Sequence, residues 1–334
     1  MYENNNNVNF IIDRNNAIGE GSHGYVYKCY KKNDKKVYIA KIVFKGIKEA
    51  SKEFNNILDF NNKNLVKFYD FEQSENDNNT FLIFEYCNGF DLELNIEKYI
   101  EKYNRVFSPE IIQKILIDVV NGLACLHRND IKHNDIKLTN ILINYNDQQS
   151  LENLDILNST IKISDFGISS VLFDNTHQES GSISYLDPQT LGIDENNKNQ
   201  RNIRYERDIW ALGIVAFQLI FFKHPFYDDY DIEILKKNIQ KGFIKIEITK
   251  NFKKSKEELC FIDACLKYDC KDRYTIDFLQ YCPYLTKNVE EFQIINSENF
   301  NQVLPNELIY DNKYIILNIK RKEKLFKLLD IYLF

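Results

Sequence analysis

The segment Ile131-Lys132-His133-Asn134-Asp135-Ile136-Lys137-Leu138-Thr139-Asn140-Ile141-Leu142 sets a carboxylate, an ammonium two residues on and a carboxamide five residues on in one loop. That set suits transfer of a phosphoryl group to a hydroxyl. Asp135 can accept the hydroxyl proton. Lys137 can steady a γ-phosphate, and Asn140 can ligate Mg²⁺. A second carboxylate, Asp165, follows a strand-like run in Ile161-Lys162-Ile163-Ser164-Asp165-Phe166-Gly167. Hard oxygen ligands joined by ATP oxygens are the surroundings Mg²⁺ prefers.

Two upstream features fit the same chemistry. Gly19-Glu20-Gly21-Ser22-His23-Gly24-Tyr25-Val26 lies between strand-like runs. Glycines let backbone N–H groups approach phosphate oxygens. By itself the run fits a plain glycine-rich hairpin equally well. It is not the dinucleotide-binding form, because no helix opens after the third glycine. Lys41 sits inside the apolar strand Tyr38-Ile39-Ala40-Lys41-Ile42. A lysine there is unfavourable unless its ammonium meets an anion or snorkels to an edge. Glu53, on an amphipathic stretch with Ile57, Leu58 and Phe60, could pair with it and aim it at the α- and β-phosphates.

These groups need two kinds of support. From Phe10 to Phe84 the chain is strand-rich: Tyr25-Val26-Tyr27, Val37-Tyr38-Ile39-Ala40, Val66-Lys67-Phe68-Tyr69 and Phe81-Leu82-Ile83-Phe84. One helical stretch, Lys48 to Phe60, interrupts the strands. From Ser108 onward helices dominate, with Ser108 as N-cap, Pro109 in the first turn and Ile111, Ile112, Ile115, Val119, Leu123 and Leu126 at helical spacing. The expected fold is α+β and bilobal, a small β-rich lobe with one main helix before a larger helical lobe. The apolar run Ile209 to Phe222 is shorter than the roughly twenty residues of a membrane span and predicts a buried helix.

With those parts in that order, the chain resembles the protein kinase family from about Phe10 to Tyr284. The resemblance implies Lys41 and Glu53 as an ion pair, Asp135 as catalytic base with Lys137 beside it, and Asn140 and Asp165 as magnesium ligands. It puts Gly19, Gly21 and Gly24 over the ATP phosphates and sandwiches the adenine between Val26, Ala40 and Leu142. The backbone of Glu85 and Cys87 would bind the adenine edge, Asp91 would reach the ribose, and Phe84 would be the gatekeeper. Gly181-Ser182-Ile183-Ser184-Tyr185-Leu186-Asp187-Pro188 looks like the loop that seats the acceptor hydroxyl. Asp208-Ile209-Trp210-Ala211-Leu212-Gly213 looks like the start of the buried anchoring helix, and Arg273 matches a late structural arginine. Lys137 and Ser182 point to serine and threonine acceptors in protein substrates. The rival readings are a pseudokinase scaffold, which retention of Lys41, Glu53, Asp135, Asn140 and Asp165 opposes, and a small-molecule kinase, which would lack the Ser182–Pro188 loop.

Several residues depart from the family pattern. Asn134 stands where arginine usually pairs with an activation-loop phosphate. A loop phosphate would need another cation, such as Lys162. Gln189 replaces the glutamate expected to pair with Arg273, which keeps a hydrogen bond but removes a charge. His23 replaces an aromatic residue at the tip of the glycine loop. The stretch from Ile143 to Ile161 is about a dozen residues longer than usual and reads as a surface loop. The Lys41–Glu53 spacing is short.

Residues 1–9 are expected to form a flexible tail. The kinase-like domain should span 10–284, with lobes near 10–86 and 88–284, followed by an extension over 285–334. In that extension Tyr314 to Phe334 is apolar and basic by turns and reads as a docking helix, the place for a regulatory partner. The bulk numbers agree with a soluble chain: 334 residues, 44% hydrophobic, 28% charged and a net charge of −6. That charge speaks against nucleic acid as partner. Seven cysteines, an odd number without a C-x-x-C step or a secretory signal, point to a reducing, cytoplasmic compartment rather than disulfides or zinc.

Overall fold

The structure is a computed structural model that describes residues 10–21, 24–32, 34, 36–43, 61–73, 80–166, 183–193, 205–226, 231–241, 254–292 and 294–295. Five antiparallel strands form the first sheet: β1 (Phe10–Gly21), β2 (Gly24–Lys31), β3 (Val37–Val43), β4 (Phe68–Gln73) and β5 (Thr80–Glu85). Their spatial order is β1-β2-β3-β5-β4. β5 is apolar from Phe81 to Phe84 because both its faces are covered. Side chains alternate across a strand. Phe81 and Ile83 thus join a small core with Phe10, Cys29, Tyr38, Ala40 and Ile42, while Leu82 and Phe84 join the large one. The strand expected from Val66 begins at Phe68 instead. Val66 N–H donates to the Ile163 carbonyl at 2.9 Å, so its backbone serves a different neighbour. The helix expected over Lys48 to Phe60 lies outside the described residues.

The second lobe opens with α1 (Leu92–Tyr103), capped by the Asp91 carboxylate, which accepts from Leu94 N at 2.9 Å. α2 (Pro109–Arg128) starts where Pro109 and Ser108 predict, although the Ser108 side chain makes no capping bond. Its buried stripe includes Ile111, Ile112, Ile115, Val119, Leu123 and Leu126. β6 (Ile141–Tyr145) then precedes α3 (Gln148–Asn153) and pairs with β7 (Ser159–Ile163). The expected surface loop between those strands is corrected here. Asp147 caps α3 by accepting from Ser150 N at 2.7 Å, and Ile156 is 1% exposed, so the insertion is folded and packed.

α4 (Glu206–Phe221) is the buried helix expected of the apolar run. Each large apolar side chain it buries is worth about 1.5–3 kcal/mol, which makes this helix a firm base for what it carries. α5 (Ile232–Gln240), β8 (Lys254–Ser255), α6 (Lys256–Cys265), α7 (Ile276–Gln280), α8 (Pro283–Thr286) and β9 (Ile294–Ile295) complete the lobe, with β9 paired to β8. Ser255 and Glu258 form a reciprocal cap at the start of α6. Among the described residues, no helix is long and apolar enough to cross a membrane.

Candidate active site

The loop carrying Asp135 is held by α4. At the first turn of that helix, Asp208 is 1% exposed and its carboxylate accepts from His133 N at 2.9 Å and Asn134 N at 2.7 Å. His127 Nε2 lies 2.9 Å from the same carboxylate. Burial pushes the Asp208 carboxyl up, but the bond and charge of His127 and the bond from His133 outweigh it, and its pKa falls below the usual carboxylate value. Asn134 has φ 66°, the left-handed region that asparagine tolerates better than most residues. The fully buried His133 ring accepts from Asp135 N at 3.2 Å through Nδ1 and donates from Nε2 to the Ser164 carbonyl at 2.8 Å. One ring thereby ties Asp135 to the segment that bears Asp165.

The polar groups predicted from the loop motif meet. Lys137 Nζ is 2.7 Å from Asp135 Oδ2. Asn140 Nδ2 donates to the same oxygen at 2.8 Å and to the Asp135 carbonyl at 2.8 Å. The amide nitrogen is thus committed, and the amide oxygen is the atom Asn140 offers a cation. Ser164 N donates to the Asn140 carbonyl at 2.9 Å, which sets the turn before Asp165. Asp165 has φ 62°, and its Oδ1 lies 2.9 Å from Lys41 Nζ. The buried ammonium of Lys41 therefore meets an anion, as its strand position requires. Glu53, its expected partner, lies outside the described residues.

The positions expected to face a nucleotide lie on the first sheet, on the link that follows β5 and on β6. Gly19 pairs with Val26 and Gly21 with Gly24 in the β1–β2 hairpin, and Val26 pairs with Lys41 on β3. Ser22 and His23 lie outside the described residues. Ala40 is buried opposite Ile83, and Phe84 packs on Phe68 with ring centroids 5.3 Å apart. Glu85 ends β5, Cys87 lies two residues on, and Asp91 bridges to Leu142 on β6. Burial pushes the Cys87 thiol up to about 12, so it is no reactive nucleophile.

Several supports have no single-residue signature in the sequence. Lys162 Nζ pairs with Glu85 Oε2 at 3.1 Å and donates to the Lys63 carbonyl at 2.8 Å. That geometry overturns the expectation that Lys162 could receive a loop phosphate, because its ammonium is engaged by Glu85 and the Lys63 carbonyl. Gly89 N–H donates to the Ile143 carbonyl at 2.9 Å, and a Cβ at Gly89 would come within 2.6 Å of that oxygen. Asn88 exchanges two bonds with the Tyr145 backbone, at 3.0 and 2.8 Å.

The stretch expected to seat the acceptor hydroxyl is described from Ile183 on; Gly181 and Ser182 lie outside the described residues. Here the hydrogen bond expected of Gln189 is present, and the expected loss of charge is offset. Arg273 does not lose its anionic partner to the Gln189 exchange. Its Nη1 pairs with Asp187 Oδ2 at 3.0 Å with both side chains fully buried, while Nη2 donates to Gln189 Oε1 at 2.6 Å. The carboxylate has moved two residues towards the N-terminus.

Among the described residues, no group of three or more His, Cys, Asp or Glu side chains could hold a metal ion. Asn140 and Asp165 are one amide and one carboxylate. They fit a small hard cation that takes its remaining ligands from phosphate and water, and they do not fit zinc.

Comparison with known proteins identifies the family to which this fold belongs. The family model described as protein kinase domain matches residues 12–285. The chain is 25% identical to the serine/threonine-protein kinase tousled-like 2 of Mus musculus over 82% of its own length and 39% of the relative's. It is 28% identical to the serine/threonine-protein kinase pakG of Dictyostelium discoideum, over 84% of this chain and 22% of that one. The chain thus spans well under half the length of these curated relatives. Among solved structures, Rad53 residues 1–466 in complex with AMP-PNP matches with a TM-score of 0.62 at 18% identity, covering 83% of this chain and 66% of that one.

Proposed function

The chain belongs to the protein kinase family, and from that premise we propose that it transfers the γ-phosphoryl of Mg·ATP to serine and threonine hydroxyls of proteins. The observation that carries this reading is the cluster in which Asp135 Oδ2 meets both Lys137 Nζ and Asn140 Nδ2, while Asp165 meets Lys41 Nζ at 2.9 Å. Asp135 takes the proton of the acceptor hydroxyl. Lys137, held beside it, faces the phosphoryl group that passes between donor and acceptor. Lys41 supplies a buried positive charge for the phosphates in a partly desolvated cleft, where such charge acts most strongly. Asn140 and Asp165 would hold magnesium, which when bound neutralises phosphate charge. The catalytic unit spans residues 10–284. The serine/threonine preference rests on Lys137 and on the relatives' printed names.

The test is transfer of radiolabelled γ-phosphate from Mg·ATP to myelin basic protein, followed by phosphoamino-acid separation. Label on phosphoserine and phosphothreonine is expected, with chelation of magnesium abolishing it. Absence of transfer with intact nucleotide binding would instead favour a scaffold, and label only on tyrosine would overturn the acceptor class.

A further inference from the structure

We propose that His224 is a positioning residue, which holds the acceptor-seating loop in working shape without a loop phosphate. The inference rests on the kinase reading above. His224 lies just past α4, in Phe222-Lys223-His224-Pro225-Phe226. Phe222 ends the helix with φ 56°, which turns the chain back. Phe226 is 2% exposed, stacks on Trp210 with centroids 5.2 Å apart, and its carbonyl accepts from Asn238 Nδ2 at 2.7 Å. His224, in the middle of the three residues between these anchors, has little freedom.

Phe226 N donates to His224 Nδ1 at 3.2 Å. A neutral ring that accepts at Nδ1 carries its proton on Nε2. That nitrogen lies 2.8 Å from the Ser184 carbonyl and donates to it. Desolvation lowers the His224 pKa to about 4, so the ring keeps one donor and one acceptor at neutral pH. Tyr185 presents its ring edge-on at 6.2 Å. Three residues past Ser184, the buried Arg273 pair fixes Asp187. The loop is therefore fastened at both ends of Ser184–Asp187, one end by a neutral donor and the other by a buried ion pair. Neither fastening uses the cation that Asn134 fails to supply.

The test uses the full chain, treated with phosphatase and checked by intact mass. KM for myelin basic protein, KM for ATP and kcat are measured in wild type, His224→Asn, His224→Phe and His224→Gln. Asn keeps an acceptor near Phe226 N but cannot reach Ser184, and Phe fills the space without a donor. Gln retains a donor of sufficient reach. Asn and Phe should each raise the protein KM about tenfold with the ATP KM unchanged, the size of one lost hydrogen bond, while Gln stays within about twofold of wild type. Equal rises in both KM values, or Asn and Phe variants equal to wild type, overturn the proposal. If wild type transfers no phosphate, the kinase reading fails by itself. Amide exchange over residues 183–188 then decides the role of His224: faster in the Asn or Phe variant than in Gln supports it, and equal rates refute it.

Discussion

The small core gathers Phe10, Cys29, Tyr38, Ala40, Ile42, Phe81 and Ile83, and its rings meet edge to face, Phe10 on Tyr38 at 5.3 Å and Tyr38 on Tyr69 at 5.0 Å. The large core runs from Leu65 through α2 and α4 to Phe292. The two present chemistry differently. The small core delivers Lys41 from the middle of a strand. The large one delivers Asp135, Lys137, Asn140 and Asp165 on irregular backbone, which it holds through buried polar bonds to Asp208 and His133. A strand positions a side chain through its own ladder. A loop needs donors and acceptors lent by distant segments. Phosphate anchoring and proton acceptance should therefore fail separately.

The sharpest separation is expected at Asp135. Asp135→Asn should lower turnover about 10²–10⁴-fold while leaving nucleotide affinity intact, because Asn140 and Asp165, the proposed metal ligands, remain. Single-turnover rates and binding of a fluorescent ATP analogue, on one preparation, check both halves. Loss of both together would erase the distinction between the regions.

Lys41→Met tests the other side. Methionine fills the stem's space, so the melting temperature should barely move, yet turnover should fall about 10²-fold through lost charge stabilisation in the cleft. A variant as fast as wild type would remove Lys41 from the site.

Asp208→Asn should act on the large region alone. It weakens bonds to a charged acceptor, each worth about 1.5–3 kcal/mol, and should slow turnover while lowering the melting temperature. The Asp208 pKa lies below the usual carboxylate value, so its stabilising effect is complete at neutral pH and is lost only as pH falls through that lowered value. The melting-temperature gap between wild type and variant should hold from about pH 7 to about pH 5 and narrow only in stronger acid. A gap that closes near neutrality would mean Asp208 is not held as an anion.

The smallest effect is expected from dephosphorylation. Asn134 offers no cation, and Lys162 is engaged by Glu85 and the Lys63 carbonyl. Phosphatase-treated protein, verified by intact mass, should keep its turnover within about twofold. A hundredfold drop that returns on rephosphorylation of Ser180 would break the comparison.

What the sequence disclosed follows from distance along the chain. Asp135, Lys137 and Asn140 were legible because they share one loop, so spacing alone brought them together. The buried faces of α2 and α4 were legible from periodicity. Asp208 was visible as part of a helix but not as the acceptor for two backbone N–H groups over seventy residues away. Backbone partners leave no residue-type signature. The transfer of Arg273's partner to Asp187 was hidden for another reason: a motif compares positions one at a time, while an ion pair needs only a carboxylate in reach. The folded insertion before β7 could have been found from Asp147, a helix cap three residues before Ser150. The role of Glu53 lies outside the described residues.

The chain leaving β5 is fastened almost at once. Glu85 is gripped by Lys162, and its backbone N–H donates to the Lys67 carbonyl at 2.8 Å. From Asn88 onward the backbone is stitched to β6 through Tyr145 and Ile143. Only Tyr86 and Cys87 lie between the two fastenings. This link between the sheet and the second lobe is thus two residues long, and it works beside a second fastening, where Leu65 and Val66 meet Ile163 on β7. So short a joint is stiff in bending and passes torque efficiently. With two fastenings side by side, a tilt of the sheet must shear the Leu65–Ile163 contact as well as turn Tyr86 and Cys87.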